Sequence, residues 1–275
     1  MSSLAVAERL PRFAKYFFVS RIGFKDGKVY PLEMLAPSII VVARLWVFTL
    51  VLKAAFASKG VTAVNGFTPA MSMWVLMFAQ SFQQASKGRV WLEISRDVQS
   101  GAFATLITKP VSYGLFHFSR YLGNIIPALA TSLSVGVVSV LVLVGPVHFS
   151  LLGALIFLPM FAIGISLNFM IYFCVGLTSL WLEDSTPITW IVSKMILIFG
   201  GMIVPIAILP GVTRQIAQVL PFAQLFALPS QLVVSFNVHD FERIMITQLS
   251  WLVVAIFFSI WFFKKGRRHV ASNGG

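Results

Sequence analysis

Apolar residues in this sequence come in long runs. Six stretches carry few charges and approach or exceed the roughly 20 residues that a helix needs to cross the hydrocarbon of a bilayer. They fall at about 33–56, 67–86, 115–144, 149–180, 186–208 and 244–263. The third and fourth are long enough to tilt or protrude, and Gly145-Pro146-Val147-His148 turns the chain between them. Arg44 and Lys53 interrupt the first, and the fifth contains Gly200-Gly201 and Pro205. The pattern predicts an all-α integral membrane protein with six transmembrane helices.

Ahead of the first span, the spacing predicts a helix from Leu10 to Phe24. At 100° per residue Leu10, Phe13, Tyr16, Phe17 and Phe24 share one side and Arg12 and Lys15 the other, with Arg21 at an edge. Arg9 projects within the apolar side, before the helix is established. This is the pattern of an amphipathic helix lying in the membrane interface, its basic residues set for anionic headgroups. Asp26-Gly27 is expected to end it, and Pro31 to begin the descent into the bilayer. The chain thus divides into an interfacial segment, 1–31, and a six-span domain, 32–275. With thirty basic-rich residues before the first run and no cleavage pattern, no removable signal peptide is expected.

Composition narrows the class further. Apolar residues make up 58% and charged residues 11%, against about 25% charged in ordinary soluble domains. A secreted domain, a disordered tail and a soluble enzyme are excluded. The net charge of +12 does not point to nucleic acid, because most basic residues flank apolar runs. Fifteen of them fall on one side of the six spans: six in the N-terminal segment, then Lys87, Arg89, Arg96, Lys109 and Arg120, and Lys264, Lys265, Arg267 and Arg268 in the tail. Only Lys59, Arg214 and Arg243 fall on the other, while Arg44, Lys53 and Lys194 lie within spans. Both termini are therefore expected in the cytoplasm. Glu183 and Asp184, between the fourth and fifth spans, do not enter that rule. The single cysteine, Cys174, cannot form an internal disulfide and reads as a small buried hydrophobe.

Two segments are neither spans nor plain loops. In Arg89–Val111, Trp91, Ile94 and Val98 share a helical face, while Glu93, Arg96 and Asp97 are expected to meet water or a partner. Gly101 suits a left-handed stop. Phe103, Leu106 and Ile107 make a second short apolar face, ended by Pro110. Such a helix transmits force from a soluble partner, or is an interfacial helix with no partner. On the opposite side, Leu209–Val238 has a small apolar face of Ile216, Val219 and Leu220, a break at Pro221, and a further apolar stretch from Leu225 to Val234 too short to span. It reads as an outer re-entrant or membrane-lying helical hairpin, either the cap of a path or a structural lid.

Charged groups inside spans are candidate functional residues. Arg44 is a contact for an anionic headgroup, or it pairs with a neighbouring helix or snorkels. Lys194 contacts substrate or snorkels inward, and Lys53 snorkels outward. Gln80 and Gln84 share a face beside Gln83 and suit interhelical hydrogen bonds, as do Ser166 and Asn168 near Gly164. Catalysis finds little support: His117, His148, His239 and His269 lie near span ends or outside, no spacing suggests a metal, and Ser166 lacks a nucleophile's surroundings.

The chain resembles the ABC-2 type permeases, the membrane subunits of ATP-driven exporters, in a bacterial branch. The resemblance rests on the basic amphipathic N-terminus and six spans. It also rests on Glu93-Ile-Ser-Arg-Asp-Val-Gln-Ser-Gly101 followed by Leu106-Ile-Thr-Lys-Pro-Val-Ser112, and on Phe199-Gly-Gly-Met-Ile-Val-Pro205 followed by Leu220-Pro221-Phe222. It implies that 93–101 is a coupling helix docking on an ATPase, with Trp91, Glu93, Arg96, Asp97, Gly101, Lys109 and Pro110 at the contact. It implies two ATPase subunits and a second permease subunit, identical or a sister, in the bacterial inner membrane. Arg44, Gln80, Gln84 and Lys194 are the substrate-path candidates. No phosphate-cradling Gly-x-x-x-x-Gly-Lys-Ser/Thr is present, so the chain binds no cofactor itself and ATP with Mg is expected on the partner. The rival class is an ATPase-independent channel or an integral membrane enzyme.

Overall fold

A computed structural model describes residues 11–29, 31–58, 60–86, 89–182 and 184–273. Among these the chain is all-helical. In order it forms α1 (Arg12–Val29), α2 (Pro31–Ser58), α3 (Pro69–Ala85), α4 (Val90–Gln99), α5 (Ala102–Leu106), α6 (Tyr113–Val144) and α7 (Leu151–Leu177). There follow α8 (Ser179–Leu182), α9 (Thr186–Phe199), α10 (Gly211–Val219), α11 (Pro221–Leu225), α12 (Ala227–Val234) and α13 (Val238–Asn273). Lys59, Lys87, Glu183, Arg9 and Leu10 lie outside the described residues, as does the start of the N-terminal segment.

Among the described residues, four helical stretches are long and apolar enough to cross a membrane: Ile39–Ser58, Tyr113–Val144, Leu151–Leu182 and Val238–Arg268. The other two predicted spans are shorter. Helix α3 has 17 residues, about 25 Å at 1.5 Å per residue. It starts where the Thr68 hydroxyl accepts from Met71 N–H at 3.2 Å, with Pro69 in the first turn. Helix α9 has 14 residues, about 21 Å, and stops at Phe199 because Gly200 and Gly201 follow, the latter at φ 68°. Residues expected to continue the fifth span instead form a turn and the 3-10 segment Ile206–Ile208. At the start of α9 the exposed Asp184 carboxylate accepts from Thr186 N–H at 2.9 Å. The Thr186 hydroxyl and that N–H hold its carboxyl below the usual range.

The bundle is built around α3. Ser72–Met77, Ala79–Gln83 and Ala85 are buried beneath α2, α6 and α12. Helix α12 follows the break at Pro221 and is too short to span. Leu228, Ser230 and Leu232 are buried because α12 inserts between α3 and α7. Small residues on α7 admit it: a methyl at Gly164 would overlap the Leu225 carbonyl, and one at Gly153 the Leu232 carbonyl. Gln248 of α13 locks the joint, donating to Met160 O at 2.9 Å and Gln224 O at 2.8 Å. In contrast, Ile216 and Val219 of α10 are exposed and only Ala217 is buried, so the apolar face expected there points outward.

The N-terminal helix departs from expectation in two ways. It runs through Asp26 and Gly27 to Val29. It also packs along α6 with Lys15, Val19 and Gly23 buried, leaving Phe17 at 75% exposure. Lys15, expected beside Arg12 on the polar side set for anionic headgroups, therefore lies in the seam. Small residues decide which face docks: a methyl at Gly123 would overlap the Ser20 carbonyl, and one at Gly23 the Arg120 carbonyl. The bulkier side that includes Phe17 is left exposed.

A contrast follows for two glycines on α6. Replacement of Gly123 by Ala forces the α1 and α6 backbones apart and lowers stability by about 1–3 kcal/mol. Gly114→Ala meets only Phe173 Cζ at 3.5 Å and is neutral or stabilising by up to about 1 kcal/mol through helix propensity. Thermal unfolding in detergent compares them, and equal melting points contradict the packing.

Candidate functional site

Helices α4 and α5 form an elbow against the ends of α6, α7 and α13. Ile94 is fully buried because Gly176, at the end of α7, has no side chain. A methyl there would sit 2.9 Å from Ile94 Cβ and 3.0 Å from Trp91 Cα. Trp91 and Val98 are half-buried on the same face, as their spacing predicts. Gly101 takes φ 71° between the two short helices, a conformation that costs other residues a Cβ clash. Phe103, buried in α5, packs edge-on against Tyr113 with centroids 5.1 Å apart, and against Phe263 at 6.1 Å.

The acidic residues of α4 do not face outward. His117 of α6 is only 3% exposed, and it stands between them. Its Nδ1 is 3.3 Å from Glu93 Oε2 and its Nε2 3.3 Å from Asp97 Oδ2. Tyr113 donates its hydroxyl to Asp97 Oδ2 at 2.8 Å, and Arg120 Nη1 lies 3.7 Å from Glu93 Oε1. The expectation that Glu93 and Asp97 meet water or a partner is thus corrected. Their i, i+4 spacing matches Tyr113, His117 and Arg120 at i, i+4, i+7 on α6. That complementarity was present in the sequence, but His117 read only as a histidine at a span end. An imidazole that carries both protons donates to Glu93 through Nδ1 and faces Asp97 with Nε2 as an ion-pair contact without hydrogen-bond geometry, which makes the trio a charge clamp between elbow and bundle. Among the described residues, no group of three or more His, Cys, Asp or Glu residues is placed to hold a metal ion. The outward surface of the elbow is left to Arg96, Gln99, Ser100 and Gly101, with Ala104, Thr105, Thr108 and Pro110 alongside; Lys109 is half-buried.

The second site lies where α3 ends. Arg44 from α2, Gln80, Gln83 and Gln84 from α3, Tyr172 from α7, and Ser193 and Lys194 from α9 line one cavity of about 180 Å³. All four path candidates, Arg44, Gln80, Gln84 and Lys194, are therefore brought together, although they come from three helices. Gln80 donates to Met202 O at 3.0 Å, which also fulfils the packing role expected of it. Sequence reading missed Tyr172 and Ser193, whose oxygens are 3.3 Å apart; the one available signal was that each is polar within an apolar run. Asn168 and Ser166 lie elsewhere. Asn168 donates to Ser86 O and Tyr121 Oη, both at 2.9 Å, and the exposed Ser166 donates to Ala162 O at 2.8 Å.

A family model described as an ABC-2 family transporter protein matches residues 40–274. The chain belongs to the ABC-2 transporter family. Comparison with curated proteins returned no match. Membership makes the chain a multi-pass membrane component of a transporter. The matched region includes both the elbow and the cavity of this ABC-2 protein, while α1 precedes it.

Removing His117 from the clamp leaves two carboxylates facing each other. A fully buried pair broken this way costs about 3–5 kcal/mol. Glu93 and Asp97 are 26% and 23% exposed, so His117→Ala is expected to cost on the order of 1–3 kcal/mol once solvent screening is allowed for. It should also expose the elbow to trypsin at Arg96. Arg96→Ala is expected to stay within about 0.5 kcal/mol. Thermal unfolding with limited proteolysis separates the two, and an unchanged His117→Ala protein contradicts the clamp.

Proposed function

We propose that this ABC-2 family member is the permease subunit of an ATP-driven exporter in a bacterial plasma membrane. It forms the translocation path with a second permease subunit, identical or a sister, and separate ATPase subunits supply ATP and Mg. The observation that carries this reading is the build of the elbow. Helix α4 is braced on α7 through Trp91 and Ile94 and charge-clamped to α6 through Glu93 and Asp97, yet it presents Arg96 and Gln99–Gly101 outward. A helix held only by apolar packing slides; one gripped by paired charges moves together with what it grips.

In this reading α4 is the coupling helix. Arg96, Gln99 and Gly101 meet the ATPase, with Pro110 and Lys109 at the margin. Glu93 and Asp97 pass the displacement to α6. The chain crosses the membrane six times: α3 lies sheathed by its neighbours, and α9 completes its crossing with residues 200–208. Both termini lie in the cytoplasm in this reading, supported by the distribution of Lys and Arg. The α11–α12 insertion caps the outer end, and the path runs along α2, α3 and α9.

The test is affinity purification of the chain co-expressed with an ATPase from a neighbouring gene, followed by transport in vesicles. The ATPase is expected to co-purify. Arg96→Glu is expected to cut transport-linked ATP hydrolysis at least tenfold while the protein elutes and melts as the parent. Vesicles that move cargo with this chain alone and no nucleotide would support a channel instead.

A further inference from the structure

The cavity at the end of α3 is lined by two cations, Arg44 and Lys194, with no carboxylate among its lining residues. Arg44 lies within the apolar run Ile39–Ser58 and Lys194 near the middle of α9. Among the described residues neither has an ion-pair partner. A cation in hydrocarbon is costly without a counter-charge. The sequence has nine Asp and Glu residues, and among the described residues none lines this cavity. Glu8, Asp26 and Glu33 precede it, Glu33 by about three helical turns of α2. Glu93 and Asp97 are engaged in the elbow, and Glu183 and Asp184 lie before α9 begins. Asp240 and Glu242 belong to the opposite end of α13.

Two further observations describe what fits. Gln80 and Gln83 line the cavity at 3% and 8% exposure, and the Oε1 of each has no hydrogen-bond donor among the described residues. Buried carbonyl oxygens without donors are expensive, so the complementary ligand carries hydroxyls as well as negative charge. Each cation also sits within an exposed apolar stripe. Ile40, Val47 and Val51 flank Arg44 on α2 at i−4, i+3 and i+7, and Trp190 and Ile198 flank Lys194 on α9 at i−4 and i+4; all five are exposed. The two helices make at most marginal contact with each other.

We propose that this cavity binds the headgroup of an anionic amphiphile bearing hydroxyl groups, whose acyl chains lie along the two stripes. The inference rests on the exporter reading only for its consequence, that such amphiphiles are the transported class; binding itself requires no ATPase.

Native mass spectrometry of the purified full chain tests it with equimolar phosphatidylglycerol, phosphatidylmethanol and phosphatidylcholine, in the absence of any ATPase. Phosphatidylglycerol should be retained at least fivefold over the other two. Arg44→Gln and Lys194→Gln should each reduce that retention at least fivefold, and Gln83→Leu should bring phosphatidylglycerol down to the level of phosphatidylmethanol. Lys53→Gln, a cation on α2 outside the cavity, should change nothing. A hundredfold excess of soluble glycerol phosphate should fail to displace the lipid; displacement would overturn the lipid assignment. Equal retention of the anionic and zwitterionic lipids, or undiminished retention in both cation variants, overturns the proposal. So does a carboxylate from a co-purified sister chain cross-linking to Lys194. Selective retention with no ATPase ever found would sink the exporter reading alone, whereas an ATP-driven complex that retains no anionic lipid would sink this inference alone.

Discussion

The contact between His117 and the two carboxylates of α4 decides what the rest of the structure can do. A short helix of ten residues is marginal on its own and stays helical through what it packs against. Ile94 on Gly176 supplies contact without direction, since apolar surfaces slide. The two carboxylates set around one imidazole supply direction. They fix the rotation of α4 about its axis and its register along α6, and Tyr113 and Arg120 close the ring of partners. With its acids turned inward, the elbow offers a partner a surface of Arg96 and small polar groups.

The interior of the bundle obeys the constraint that lipid imposes on backbone groups. Irregular chain appears at 200–208 and at the α11–α12 junction, where Gly200, Gly201, Met202, Pro205, Ile206, Ala207, Leu225, Phe226 and Ala227 are buried in protein and Ile203 is exposed. Glutamine side chains do much of this work: Gln80 ties α3 to Met202, and Gln248 ties α13 to α7 and α11. Small residues on α6 and α7 set how closely the surrounding segments approach. The cavity arises because the bundle is well packed on the α6–α7 side of α3 and open on the side where α2 and α9 stand apart.

Much of this was legible in the sequence. The long helices follow from apolar runs, the elbow from its charge pattern and Gly101, and the insertion from the interrupted stretch after Pro221. Arg44, Gln80, Gln84 and Lys194 were singled out as polar groups in apolar surroundings, and the fold brings them to one cavity. What was not legible depended on pairing between distant segments. Lys15 faces the protein because Gly23 and Gly123 let two backbones touch, which no single-helix pattern reveals. Glu93 and Asp97 face inward because His117 lies 20 or more positions downstream. Helix α9, at the fifth predicted span, is short because the glycine pair ends it before its apolar residues do.

The account joins these parts through one mechanical claim: the elbow and α6 move as a unit, and their motion alters the gap beside α3. The most direct test is pulsed electron paramagnetic resonance on the chain assembled with the ATPase proposed for it, with Cys174 replaced and spin labels on the exposed positions Gln99 and Leu122. The account predicts that this distance stays constant between the nucleotide-free and nucleotide-trapped states, while labels at Val47 and Ile198 change separation. A shift between Gln99 and Leu122 with a static gap at Val47 and Ile198 would contradict it.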